Sequence, residues 1–171
     1  MKKYLLLVLF AAISAVSVNA QKFALMDMEY VLKNIPAYER ANEQLTQQSK
    51  RWQGEVDDLT VEAQNLYKKY QSESIFLSDE QRAQREQEIL NKEKLASELK
   101  RKYFGPDGEL YKKRESLMAP IQDEIYNAVK EICEAKGYSA VVDRASAGSI
   151  IYASPKIDIS NEVLAKLGYS N

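Results

Sequence analysis

The sequence predicts a mainly helical chain with a small β body, and three observations carry that prediction. Apolar residues recur at heptad spacing over two long stretches. A short break with helix-start chemistry separates those stretches. Strand-like runs occur only near the two ends, outside the helical region. The expected architecture is a long antiparallel helical hairpin inserted between β-strands.

Lys22 to Met28 is the first strand, with Phe23 and Leu25 on one face and Ala24, Met26 and Met28 on the other. A run that is apolar on both faces is normally covered on both sides. Glu29 to Asn34 forms a short helix, and Pro36 can occupy the first turn of the next one. From there Leu45, Trp52, Val56, Leu59, Ala63, Leu66 and Tyr70 make one stripe on an otherwise polar helix. A helix from about Ala37 to Ser74 is about 57 Å long at 1.5 Å per residue. Its stripe is too narrow to build a globular core and needs a partner helix.

Ser74 to Gln81 interrupts the pattern, and Ser78 with Gln81 reads as a capping box that starts a second helix. That helix carries Ile89, Ala96, Leu99, Tyr103, Leu110, Leu117, Ile121, Ile125, Ala128 and Ile132. Gly105-Pro106-Asp107-Gly108 lies inside it. Pro and Gly cost about 3 and 1 kcal/mol relative to Ala in a helix interior, so a kink or short non-helical insert is expected there. These four residues are the candidate hinge. Lys136-Gly137 closes the helix. Tyr138 to Asp143 and Ser149 to Ala153 read as two further strands. A last short helix, N-capped by Ser160, holds Val163, Leu164 and Leu167 and ends at Gly168.

The organisation is therefore residues 1–20 as an export signal, 21–35 and 137–171 as a β-rich oligomerisation body, and 36–136 as the hairpin. Lys2 and Lys3, the apolar run Leu5–Ile13 and the small residues ending at Ala20 form the signal pattern. Cleavage removes two of the 24 basic residues and none of the 25 acidic ones, taking the net charge from −1 to −3. Cys133 is the lone cysteine, read as a small apolar helix residue in preference to an intersubunit disulfide.

Composition disfavours most enzyme classes. With no His and one Cys in 171 residues, one chain cannot build a Ser-His-Asp triad, a Cys-His pair or a His-containing zinc site. There is no phosphate-binding loop and no dinucleotide fingerprint. Carboxylate pairs such as Asp27 with Glu29, or Asp143 with Asp158, are the remaining route to acid–base chemistry, and nothing in the sequence makes them converge. No cofactor, no metal and no catalytic residue is expected. Export and the acidic balance disfavour nucleic acid.

Three short strands are too few to close a core alone, so several chains are expected to pool their sheets. The candidate interface residues are Phe23, Leu25, Val141, Val142, Ile150 and Ile151. At the hairpin turn, Ile75, Phe76 and Leu77 either pack on Tyr67 and Tyr70 or stay exposed as contacts for a bound chain.

Lys22–Met28, Tyr138–Asp143, Ile151–Ser160 and Val163-Leu164 together resemble the Skp/OmpH family of periplasmic chaperones over Lys22 to about Leu167. The resemblance implies a homotrimer with a β-barrel body and three helical hairpins. It implies an ATP-independent holdase that keeps unfolded outer-membrane proteins in the cavity between hairpins. The alternative is a structural or scaffolding coiled-coil protein of the cell envelope. Two departures stand out. The best-known members are strongly basic, so attraction to lipopolysaccharide or a membrane surface should be weaker here. The Gly105–Gly108 breaker is the second.

Overall fold

The computed structural model describes residues 21–169, so the expected signal segment lies outside the described residues. The elements run β1 (Lys22–Met26), α1 (Met28–Lys33), α2 (Pro36–Glu73), α3 (Asp79–Phe104), α4 (Glu109–Lys136), β2 (Tyr138–Asp143) and α5 (Ser160–Lys166). Single 3-10 turns cover Ser74–Phe76 and Pro155–Ile157. The chain divides into two compact units. One comprises residues up to Val31 with Asn127 onward; the other is Leu32–Tyr126.

In the first unit β1 and β2 form a two-stranded parallel sheet, with Ala24 opposite Val141 and Leu25 opposite Val142. The first strand is shorter than its apolar pattern, because Asp27 caps the following helix. Its Oδ1 accepts the Tyr30 amide at 2.8 Å, and Met28 becomes the first helical residue. The buried residues here include Ala24, Leu25, Met26, Val31, Ile132, Ile159, Val163 and Leu164. Gly137, at φ +72°, closes α4 in the left-handed region that glycine tolerates best.

The third expected strand does not form. Ser149–Ala153 is irregular, and Ile151 and Tyr152 are fully or almost fully exposed. A strand exists only when a neighbour completes its hydrogen-bond ladder. The free edge of β1 is taken instead by the residues after the turn: Leu25 bridges Asp158, and the Ile159 amide donates to the Leu25 carbonyl at 2.9 Å. Ile150 and Ile151 are left without a partner strand among the described residues. A second correction concerns Ser160. It is the first residue of α5 and does not cap it; Ile159 holds the N-cap position, with no side-chain cap bond.

The second unit holds the hairpin. Three cross-helix pairs fix α2 antiparallel to α3: Tyr70 with Glu86, Glu62 with Lys92, and Trp52 with Tyr103. The seam is built from small and medium residues, with Val56 and Ala63 buried on α2 and Ile89 and Ala96 buried on α3. Ser78 forms the expected capping box: its Oγ accepts the Gln81 amide at 3.3 Å, and Gln81 Oε1 accepts the Ser78 amide at 3.0 Å. Arg82 fastens the turn by donating to the Ser74 carbonyl.

The second helix is split, as its Gly-Pro-Asp-Gly run requires. α3 ends at Phe104 and α4 begins at Glu109. Both glycines are needed by close approach. A Cβ on Gly105 would lie 2.4 Å from the Arg101 carbonyl oxygen, and one on Gly108 would lie 2.7 Å from that of Tyr103. Beyond the break the buried positions are Met118, Ile121, Ile125, Ala128 and Ile132. Leu117 is only half-buried, so the stripe returns shifted by one residue from the heptad that Ala96 and Tyr103 set. α4 also carries Pro120 within it.

Candidate functional site

Three places could do work: the hairpin end, the break, and the sheet with its following loop. At the hairpin end, Ile75 and Phe76 sit in a 3-10 turn and are 77% and 81% exposed. Leu77 is partly covered. Tyr67 is exposed, and Tyr70 is half-buried with its hydroxyl donating to the Glu86 carboxylate. That hydrogen bond, with some desolvation and the charge of Glu86, holds the Tyr70 phenol above its ordinary range. Ile75 and Phe76 are therefore not folded down into a cap. The 3-10 turn aims them outward, and Arg82 stabilises that turn from below.

At the break, Trp52 and Tyr103 stack with ring centroids 4.7 Å apart and planes within 12°. The Tyr103 hydroxyl donates to Glu55 Oε2 at 2.6 Å, and this bond raises the phenol's pKa. Sequence periodicity placed both rings on their stripes but could not show that they meet. The Gly105–Gly108 insert follows two residues later.

Beyond the break α2 and α4 run beside a groove of about 510 Å³, lined by Asn42, Leu45, Thr46, Ser49 and Lys50 from α2 and by Leu110 and Arg114 from α4. α2 and α3 stay in close backbone approach, and α2 and α4 make no comparable run of close approach.

In the first unit, the expected interface residues divide by exposure. Phe23, Val142, Ile150 and Ile151 are exposed, Val141 is half-buried, and Leu25 is already buried within its own chain. Four polar residues that sequence reading left scattered converge beside them. Arg144 donates to Asp27 Oδ2 at 3.3 Å and forms an ion pair with Asp158 Oδ2 at 3.2 Å. The Ser160 hydroxyl donates to Asp158 Oδ1 at 2.6 Å and accepts the Asp27 amide at 2.9 Å. Asp143 Oδ1 accepts the amides of Met28 and Ala145. Burial pushes the Asp143 carboxyl up, but the hydrogen bonds from Met28, Ser146 and Ala145 outweigh it and hold the group below its usual range. A positional signal existed, since Asp27, Asp143 and Asp158 all fall at element ends. These carboxylates are engaged in tying β1, β2 and α5 together. Among the described residues no His, Cys, Asp and Glu cluster fits a metal ion, and no helix is long and apolar enough to cross a membrane.

Three comparisons bear on the fold and its lineage. The family model described as outer membrane protein (OmpH-like) matches residues 22–167. The protein named chaperone protein Skp from Yersinia enterocolitica is 26% identical over 159 residues, covering 92% of each chain. Its namesake from Photorhabdus laumondii is 26% identical over 172 residues, covering 98% of this chain and 99% of that one. A crystal structure described as an OmpH-like outer membrane chaperone from Caulobacter crescentus superposes with a TM-score of 0.69. It covers 86% of this chain and 84% of that one at 13% identity, a likeness of fold.

Proposed function

This chain belongs to the OmpH-like outer membrane protein family, and from that premise we propose that it is a periplasmic, ATP-independent holdase chaperone for unfolded outer-membrane proteins. The observation that supports this reading most is the end of the hairpin. Two large apolar side chains, Ile75 and Phe76, project into solvent at the end of two long paired helices, and Tyr67 on α2 is also exposed. Weak apolar contacts spread over such an arm can hold a chain without fixing its conformation, and release then needs no nucleotide. Curated relatives named as chaperones support the same reading.

In this proposal residues 1–20 are a cleavable export signal, 21–35 with 137–171 form the oligomerisation body, and 36–136 form the arm. Three chains associate through Phe23, Val141, Val142, Ile150 and Ile151, with Leu25 packed behind them, and pool their strands into one barrel. The unpaired Ile150–Ala153 segment then finds a ladder partner in a neighbouring chain. Tyr67, Tyr70, Ile75, Phe76 and Leu77 touch clients. Gly105, Pro106, Asp107 and Gly108 act as a hinge. Since α2 is unbroken opposite them, the hinge flexes one side of the arm and changes the spacing between α2 and α4. Lipopolysaccharide or a membrane surface is a weaker partner.

The test is suppression of aggregation of an unfolded outer-membrane barrel protein with no nucleotide present. Protection is expected, and Phe76→Ser with Leu77→Ser should weaken it while leaving the assembly intact. Saturable binding to one folded partner without protection would instead support a scaffolding coiled coil of the envelope.

A further inference from the structure

The loop between β2 and α5 has no buried residue to fix its course. Every position from 145 to 157 is exposed or half-buried, and Ile151 and Tyr152 are fully or almost fully exposed. Bonds within it are local turns, such as Ile150 amide to Ala147 carbonyl and Ile157 amide to Ser154 carbonyl. Such a loop is placed by its ends, and one side chain joins them. Arg144 precedes the loop and Asp158 follows it. The Arg144 guanidinium lies 3.2 Å from Asp158 Oδ2 through Nη1, and 3.3 Å from Asp27 Oδ2 through both Nε and Nη2. The backbone lays both ends on the same strand. The Arg144 amide donates to the Met26 carbonyl at 2.8 Å, and the Ile159 amide to the Leu25 carbonyl at 2.9 Å. The side chains of Asp27 and Asp158 are only 23% and 21% exposed. Two such carboxylates around one point repel each other with little screening, and the guanidinium between them relieves both. Without it the ends of the loop are pushed apart.

We propose that Arg144 is a positioning residue for assembly: its guanidinium clasps the base of the 145–157 loop, and the closed loop presents Ile150 to Tyr152 to a second copy of this chain. The proposal rests on the three-chain reading above and deepens it by naming the residue that prepares the contact. A second copy is the occupant because Ile150 and Ile151 carry strand preference and lack a ladder partner among the described residues, a need that a strand of the same body can meet. The clasp matters before the contact forms. A segment whose ends are already fixed loses less conformational freedom on pairing than one that is free to wander, so closing the base favours association without adding any contact across the interface. The planar guanidinium suits this task, since it reaches two carboxylates at once; an ammonium in its place supplies the charge without the fork.

The experiment follows the mature protein by sedimentation over a dilution series, as wild type, Arg144→Gln, Arg144→Lys and Lys156→Gln. The wild type should assemble, and Arg144→Gln should need about tenfold more protein to reach its midpoint. Arg144→Lys should recover part of that loss, and Lys156→Gln, which removes a charge from the same loop and leaves the clasp intact, should match the wild type. Below both midpoints, amide exchange of Ile159 should be faster in Arg144→Gln than in wild type, while that of Ala96 in the arm stays the same. A residue that merely supports the fold would lower the melting of the whole chain; here the midpoint moves and the helical signal holds. An Arg144→Gln midpoint equal to the wild type's would overturn the proposal and leave the three-chain reading standing, as would a shifted midpoint with unchanged Ile159 exchange. If Arg144→Gln fails to fold, Arg144→Lys decides, and a wild-type midpoint with wild-type Ile159 exchange overturns the clasp. A monomeric wild type breaks the three-chain reading and the proposal together, and it is seen without any variant.

Discussion

The stretch of the hairpin between the turn and the break and the stretch beyond the break use the same heptad logic and reach different structures. Toward the turn, Ala63 and Ala96 let α2 and α3 approach closely, and Trp52 on Tyr103 locks the end of that seam. Beyond the break, Leu45 and Leu110 are larger, and a groove opens between α2 and α4. A shared hydrophobic period therefore sets which faces meet, and residue size sets how near they come. The insert of Gly105 to Gly108 lies between the two stretches.

The largest expected effect comes from breaking the lock. Tyr103→Ala removes the stack, the hydrogen bond to Glu55 and a buried ring, and should cost about 3 kcal/mol in thermal or urea unfolding. Tyr103→Phe keeps the stack and should cost about 1 kcal/mol. If both variants cost the same, the stack contributes little and the contrast between the two stretches loses its cause.

Next comes the insert. Gly105→Ala or Gly108→Ala brings a Cβ against a carbonyl oxygen, and each should cost about 2 kcal/mol by forcing the backbone to move. Replacing the four residues with Ala-Glu-Lys-Ala should narrow the distribution of spin-label distances between α2 and α4. A distribution as broad as the wild type's would show that the insert is not the hinge.

A smaller effect is expected at the turn. Ser78→Ala removes one half of the capping box and should cost about 1 kcal/mol. Melting should begin at the turn, with amide exchange of Gln81 and Arg82 accelerating before that of Ala96.

The smallest effect is a pH dependence at Tyr103 and Asp143. Hydrogen bonding to Glu55 raises the Tyr103 pKa. A group whose folded pKa is raised stabilises fully below its unfolded value, about 10 for tyrosine, and loses that contribution as pH climbs through the folded value. Trp52 fluorescence should therefore hold steady to about pH 10 and change above it, and Glu55→Gln should move that change to lower pH. At the other end of the scale, Asp143 is held low, so its contribution is present above about pH 4 and is lost as pH falls through its folded value.

Local chemistry made much of this fold legible in the sequence. Pro36 at a helix start, the Ser78–Gln81 box, Gly137 after Lys136, and the breaker at Gly105 all act within a few residues of themselves, and each stands where its chemistry puts it. What failed depended on distant partners. Ile150 and Ile151 have every local preference for a strand, but a ladder needs a neighbour, and residues after Pro155 had taken the edge of β1. Met118 is buried where counting by sevens expects Leu117, because the insert shifts the helical phase. The meeting of Arg144 with Asp27 and Asp158 spans more than a hundred residues. Whether Ile75 and Phe76 pack down or stay exposed was open in the sequence, and the 3-10 turn leaves both exposed.

The proposed holdase function requires several copies of this chain to hold one unfolded client among their arms without an energy source. Sedimentation of the mature protein, alone and mixed with one unfolded outer-membrane barrel protein in nucleotide-free buffer, tests it most directly. A three-chain assembly that takes up one client chain and keeps it soluble is expected. A stable monomer at micromolar concentration that leaves the client to aggregate would contradict it.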